Sequence, residues 1–129
     1  MSEKFTVEII SPERSIIKTH TSEVTIPSFE GEMGILKDHI PLITFLRPGI
    51  IKITDETEKK FFVEDGTVEF ADNNLLILSS TVNEISNLKK NLLDTLIIEA
   101  EKKFSGDDIT DKEKYLLSYK IDTLKDISR

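Results

Sequence analysis

A β-sandwich followed by an antiparallel two-helix hairpin is the fold class that this sequence predicts, and two observations predict it. All four prolines and four of the five glycines lie in the first 66 residues, where apolar and polar residues alternate. Dense punctuation with period-two alternation marks short strands and tight turns. After Gly66 the only glycine or proline is Gly106, and apolar residues recur at the three-to-four spacing of a helix face. Charge divides near the same place. The net charge of −7 falls wholly within residues 1–84, with 8 basic and 15 acidic side chains, whereas residues 85–129 carry nine of each. The expected domains are therefore a sandwich over 1–84 and a helical hairpin over 85–129.

Taken in order, Phe5-Thr6-Val7-Glu8-Ile9 and Glu23-Val24-Thr25-Ile26 alternate as strands, as do Ile51–Thr54 and Thr67–Phe70. Pro41 lacks a backbone donor, so a strand begins there or lies at an edge. Asp65-Gly66, between Lys60–Glu64 and Thr67–Phe70, is a hairpin signal of the type I′ kind. Asp72-Asn73-Asn74 supplies another turn before Leu75–Leu78. From Ser86 to Phe104, Leu88, Leu92, Leu96 and Ala100 recur at i+4, flanked by Leu93, Ile97 and Phe104. Ser105-Gly106-Asp107-Asp108 stops that helix. Thr110 and Glu113 then have the spacing of a capping box, in which a hydroxyl and a carboxylate satisfy two orphan amides. Leu117, Ile121 and Leu124 share a face of the second helix, with Leu116 and Ile127 nearby.

Composition excludes several functions. The sequence pI of about 4.9 argues against nucleic acid and an anionic membrane surface as partners. The absence of cysteine removes disulfides, thiol nucleophiles and cysteine-based metal sites. The N-terminal stretch from Met1 reads as neither signal nor transit peptide. Apolar runs such as Leu75–Leu78 are far too short to insert in a bilayer. No nucleophile elbow, phosphate loop or H-E-x-x-H occurs. The expectation is no catalytic residue, no cofactor and no metal, with His20 a surface strand residue. Gly31-x-x-Gly34 is no phosphate clamp, because Glu30 and Glu32 bracket its first glycine. Two readings of Glu30–Gly34 stay open: a tight polar turn between strands, or a protruding acidic loop that docks on a partner.

Val24-Thr25-Ile26-Pro27, Glu30-Gly31-Glu32-Met33-Gly34-Ile35-Leu36, His39-x-Pro41-Leu42 and Leu46-Arg47-Pro48-Gly49 follow one another in the order and spacing of a known pattern. The chain resembles the epsilon subunit family of bacterial and plastid F-type ATP synthases, from Phe5–Thr81 as its sandwich to Ser86–Ile127 as its two-helix domain. The resemblance implies a non-catalytic rotor subunit of the central stalk in a proton- or sodium-translocating enzyme. Its implied partners are the gamma subunit, the ring of c subunits and, transiently, the alpha/beta catalytic head. It implies ring contact by Glu30, Gly31, Glu32 and His39, and a hairpin that inhibits ATP hydrolysis when extended. The missing transit peptide favours a bacterial protein, peripheral on the cytoplasmic face of the inner membrane. Some members bind ATP through Ile/Leu-Asp-x-x-Arg-Ala at the start of the last helix. The matching stretch here is Ile109-Thr110-Asp111-Lys112-Glu113-Lys114-Tyr115. It leaves Asp111 and Lys114 as candidate nucleotide contacts, without the arginine that would give a bidentate fork.

Two rival classes remain on the residues alone. One is a free-standing binding module for a small ligand or soluble partner. The other is an enzyme using Glu30 and Glu32, which positions i and i+2 of a tight turn disfavour because both carboxylates point to solvent.

Overall fold

The computed structural model describes residues 3–129; Met1 and Ser2, where the stretch read as leaderless begins, lie outside the described residues. The strands are β1 (Phe5–Ile10), β2 (Ser15–Thr21), β3 (Glu23–Ser28), β4 (Gly31–Leu36) and β5 (Leu42–Leu46). They continue with β6 (Gly49–Thr54), β7 (Glu58–Val63), β8 (Gly66–Ala71), β9 (Asn74–Leu78) and the short β10 (Asn83–Glu84). A 3₁₀ turn over Ile85–Asn87 leads to helices α1 (Lys90–Phe104) and α2 (Asp111–Ser128). β5 begins immediately after Pro41, where the missing donor requires it.

The strands form two layers. One runs β10-β7-β6-β3, with β4 on the far edge of β3, and the other runs β5-β8-β9-β1-β2. The layers meet at a single bridge, Ser28 to Leu46, at the end of β3. Residues Glu23–Thr25 of β3 pair with β6 instead, so the sheet splits along one edge of β3 and closes into a sandwich. Inward residues alternate along each strand: Phe5, Val7 and Ile9, then Val24 and Ile26, Ile51 and Ile53, Val68 and Phe70, Leu75 and Ile77. All are at most 3% exposed and fill one core. Phe5 meets Phe70 edge to face at 5.7 Å.

A second cluster lies on the other side of β6 and β7. Ile50 and Phe62 are directly paired across these strands and face away from the first core. They meet Leu88, Leu93 and Leu124, with Leu96, Ile97 and Ile127 at the margin. The hairpin is thus folded down on the sandwich. This explains why Phe61, Phe62 and Val63 are buried in succession: both faces of β7 are covered, which removes the need for alternation. α1 starts at Lys90, four residues later than its apolar spacing predicts, because the 3₁₀ turn takes up Ile85–Asn87 and Lys89 offers no side-chain cap. The capping box of α2 forms in full. The Glu113 amide donates to Thr110 Oγ1 at 3.1 Å, and the Thr110 amide donates to Glu113 Oε1 at 3.0 Å.

One local expectation is corrected. β7 and β8 do not pair, so Asp65-Gly66 is a crossing between layers and no hairpin. Gly66 sits at φ +154°, and a Cβ there would lie 2.6 Å from the Leu78 carbonyl oxygen, so it is an intimate contact with β9 that glycine allows. Of the two readings left open for Glu30–Gly34, the tight turn between strands is the one that forms. A two-residue turn, Phe29-Glu30, suffices, and from Gly31 onward the chain is strand β4, paired with β3 along its length, Ile35 being wholly buried. The turn expected at Asp72–Asn74 is present, with Asp72 and Asn73 at φ 51° and 59°, the left-handed values of a type I′ turn.

Candidate partner-docking sites

The β3–β4 turn presents the acidic residues. Buried Ser28 braces it: its Oγ donates to the Gly31 carbonyl at 2.7 Å and accepts from the Glu30 amide at 3.2 Å. Such side-chain bonds to nearby backbone are how serine shapes turns. The Phe29 amide donates to the Phe45 carbonyl at 3.1 Å. Gly31 takes φ +122°, which a larger residue adopts only with strain. Thr44 Oγ1 donates to Glu30 Oε1 at 3.2 Å, while Glu32 projects exposed from edge strand β4. Glu30 therefore stands on a braced, solvent-facing turn, and Glu32 stands just beyond it on the edge strand.

His39 lies elsewhere. It belongs to the β4–β5 loop, and the whole of β4 separates it from Glu30. Five strand steps from Gly31 to Leu36 amount to about 17 Å. Its loop is clasped to the β8–β9 turn: the Asp38 amide donates to Asn73 Oδ1 at 2.7 Å, and Asn73 Nδ2 donates to Asp38 Oδ1 at 2.9 Å. The imidazole rests edge to face on Phe70 at 5.9 Å, with Nδ1 2.7 Å from the Ile40 carbonyl. The structure brings Glu30, Gly31 and Glu32 together and leaves His39 at the opposite end. His20 is exposed on β2.

A third surface was not read from the sequence. On the outer face of the second layer, Phe45, Thr67, Leu78 and Ile10 form one row across four strands. Phe45 is 58% exposed and Leu78 44%, and Ile43 in the next row is 75% exposed. This face continues into an open groove of about 920 Å³ whose walls include Phe29, Leu46 and, from α2, Lys112 and Leu116. The signal was present in Leu42-Ile43-Thr44-Phe45-Leu46, where apolar residues occupy the outward positions too.

Around the acidic turn, α2 makes its polar contacts with the sandwich. Arg47 stands 4.0 Å over the Tyr119 ring and its Nη1 donates to the Tyr115 hydroxyl at 3.1 Å. Phe29 stacks on Tyr115 with ring centroids 6.3 Å apart and planes 12° from parallel. Lys120 Nζ lies 2.9 Å from Glu64 Oε1. Sequence gave no sign of these contacts, since Arg47 and Tyr115 are 68 residues apart.

Asp111 and Lys114 are both exposed on the first turn of α2, and neither lines the groove that reaches Lys112. Glu113 is held below the usual carboxylate range by hydrogen bonds from the backbone and side chain of Thr110, which explains the acidic residue there without a ligand. Lys4 is raised, first by its hydrogen bond to Asp55 at 2.9 Å. Among the described residues, no three His, Asp or Glu converge in a metal-binding geometry, and no helix is long and apolar enough to cross a membrane.

Comparison with known proteins gives these surfaces a context. The family model for the β-sandwich domain of the ATP synthase delta/epsilon chain matches residues 4–85. The ATP synthase epsilon chain of Pelagibacter ubique is 49% identical over 99% of this chain and all of its own length. That of Parvibaculum lavamentivorans is 33% identical over 98% of this chain and 97% of its own. Among solved structures, a chain of the Euglena gracilis mitochondrial ATP synthase, in an assembly of OSCP, F1 and c-ring, superposes with a TM-score of 0.82. At 20% identity, over 98% of this chain and 82% of that one, the likeness supports the fold alone. With the sandwich domain matched and epsilon chains similar from end to end, the chain belongs to the ATP synthase delta/epsilon chain family.

Proposed function

We propose that the protein is a non-catalytic rotor subunit in the central stalk of a bacterial F-type ATP synthase, coupling rotation of the c-ring to the gamma subunit. The observation that carries this reading is the match over the full length to an epsilon chain at 49% identity. In this reading the outer face with Ile43, Phe45 and Leu78 is the seat of gamma. An exposed apolar row on a folded domain is the kind of surface that a permanent partner covers. The braced turn with Glu30, Gly31 and Glu32 meets basic groups on the polar loops of the ring, an arrangement that gives orientation more than affinity. His39, at the far end of β4, is a contact separate from that turn. The hairpin forms a regulatory domain that rests on β6 and β7 and restrains ATP hydrolysis when it extends toward the alpha/beta head. The protein works as a peripheral subunit at the cytoplasmic face of the inner membrane.

Native purification through an affinity tag on this chain tests the reading. Gamma is expected to come with it in stoichiometric amount, and its absence would sink the rotor role. Recovery of a soluble partner alone would support the free-standing binding module.

A further inference from the structure

Three aromatic and hydrogen-bond contacts of α2 gather beside the Phe29-Glu30 turn, next to which β4 carries Glu32. Phe29, which precedes Glu30, stacks on Tyr115. Arg47, whose amide donates to the Pro27 carbonyl at 2.9 Å, holds both tyrosines of α2. A crevice of about 220 Å³ is lined by Pro27, Glu32, Arg47 and Gly49 from the sandwich and by Tyr119 and Asp126 from α2. Glu32 and Asp126 thus share a crevice, and Arg129 Nη1 pairs with Asp126 Oδ1 at 3.0 Å.

From this geometry we infer that the folded hairpin orders the acidic turn, so that the docking of the turn and the position of the hairpin are coupled. The inference rests on the reading of Glu30 and Glu32 as ring contacts and adds regulation to it. Phe29 is 41% exposed even with Tyr115 against it. When α2 lifts away, the ring of Phe29 loses its stacking partner and Arg47 loses both aromatic contacts. The turn then keeps the Ser28 brace, the bonds to Phe45 and Thr44 and the pairing of β3 with β4, and loses its aromatic cover. A turn that must be ordered at the moment of docking binds more weakly than one ordered beforehand. The folded-down hairpin therefore favours ring contact, and by reciprocity ring contact favours the folded-down hairpin. An enzyme whose ring interface loosens releases its own inhibitory element.

Amide hydrogen exchange on the full chain tests the coupling without any partner. In Tyr115→Ala, exchange at Phe29, Glu30 and Gly31 is expected to quicken about three- to tenfold, the worth of one aromatic stack, while Val7, Val68 and Ile77 stay unchanged. Tyr115→Phe, which keeps the stack, is expected to restore most of the slow exchange at the turn. Unchanged exchange at the turn in Tyr115→Ala would overturn the inference, whether α2 stays docked or leaves. The second arm uses the assembled complex. Because the chain has no cysteine of its own, Glu32→Cys reports ring contact by crosslinking to c loops. The crosslink yield at low crosslinker is expected to fall by a similar factor when Tyr115→Ala is added. If Glu32→Cys never reaches the ring, the ring assignment fails, and the exchange arm still decides the coupling.

Discussion

Leu124 is wholly buried, yet it belongs to the cluster between hairpin and sandwich rather than to the sandwich core. Leu124→Ala should therefore undock the hairpin and leave the sandwich folded. Truncating a buried leucine costs about 2–5 kcal/mol, with the spread set by how far the site collapses. Here the upper end is capped, because once the hairpin leaves, nothing more can be lost. The assay is intrinsic to the sequence. The chain has no tryptophan, and its two tyrosines, Tyr115 and Tyr119, both lie on α2 against Arg47 and Phe29. Near-ultraviolet circular dichroism of tyrosine thus reports hairpin docking, while the far-ultraviolet strand signal reports the sandwich. With a urea slope of about 1–3 kcal/mol per molar, a loss of 2 kcal/mol moves the tyrosine transition down by about 1 M. The strand transition should hardly move. Leu92→Ala, at a position 45% exposed, is the control and should shift either transition little. If Leu124→Ala lowers both transitions together, hairpin and sandwich are one cooperative unit and the reasoning from separate clusters is wrong.

Other outcomes follow from the same geometry. Gly66→Ala should destabilise the sandwich by about 1–3 kcal/mol in urea titration, because its Cβ would meet backbone oxygen of β9 and the backbone lies at φ +154°. A wild-type midpoint would show that the crossing relaxes freely. Glu113 is depressed in the folded chain, so its stabilisation of α2 is present above the ordinary glutamate value of 4.5 and is lost as pH falls through the depressed value. Helical ellipticity should therefore decline below pH 4.5, and Thr110→Ala should lose helicity at neutral pH and flatten that decline. Phe45→Asp should weaken recovery of gamma at least tenfold with the isolated chain still folded, since a carboxylate would be buried in the proposed seat. Undiminished recovery would move the seat elsewhere.

Much of the architecture is written locally. The capping box of α2 needs only Thr110 and Glu113, and the start of β5 needs only Pro41. The type I′ turn at Asp72-Asn73 is set by residues that tolerate left-handed backbone. The hairpin misread at Asp65-Gly66, and the distances that the sequence did not show, are non-local. Phe61-Phe62-Val63 followed by Asp65-Gly66 has the pattern of a hairpin arm. What decides against a hairpin is that β7 is claimed by β6 on one side and β10 on the other. Glu30 and His39, nine positions apart, are neighbours in sequence, and a strand between them places them at opposite ends. The acidic turn was legible as an exposed, charged feature. Its clasp by Phe29, Arg47, Tyr115 and Tyr119 was not, because no spacing rule links residues in different layers of a fold.

The central claim is that this chain sits between ring and stalk with two separate surfaces, the edge at Glu32 and the outer face at Phe45. Crosslinking in the assembled enzyme from two single-cysteine variants, Glu32→Cys and Phe45→Cys, measures it directly. The account predicts that position 32 joins a c-subunit loop and position 45 joins gamma; crosslinks from both positions to one partner, or only to the catalytic head, would contradict it.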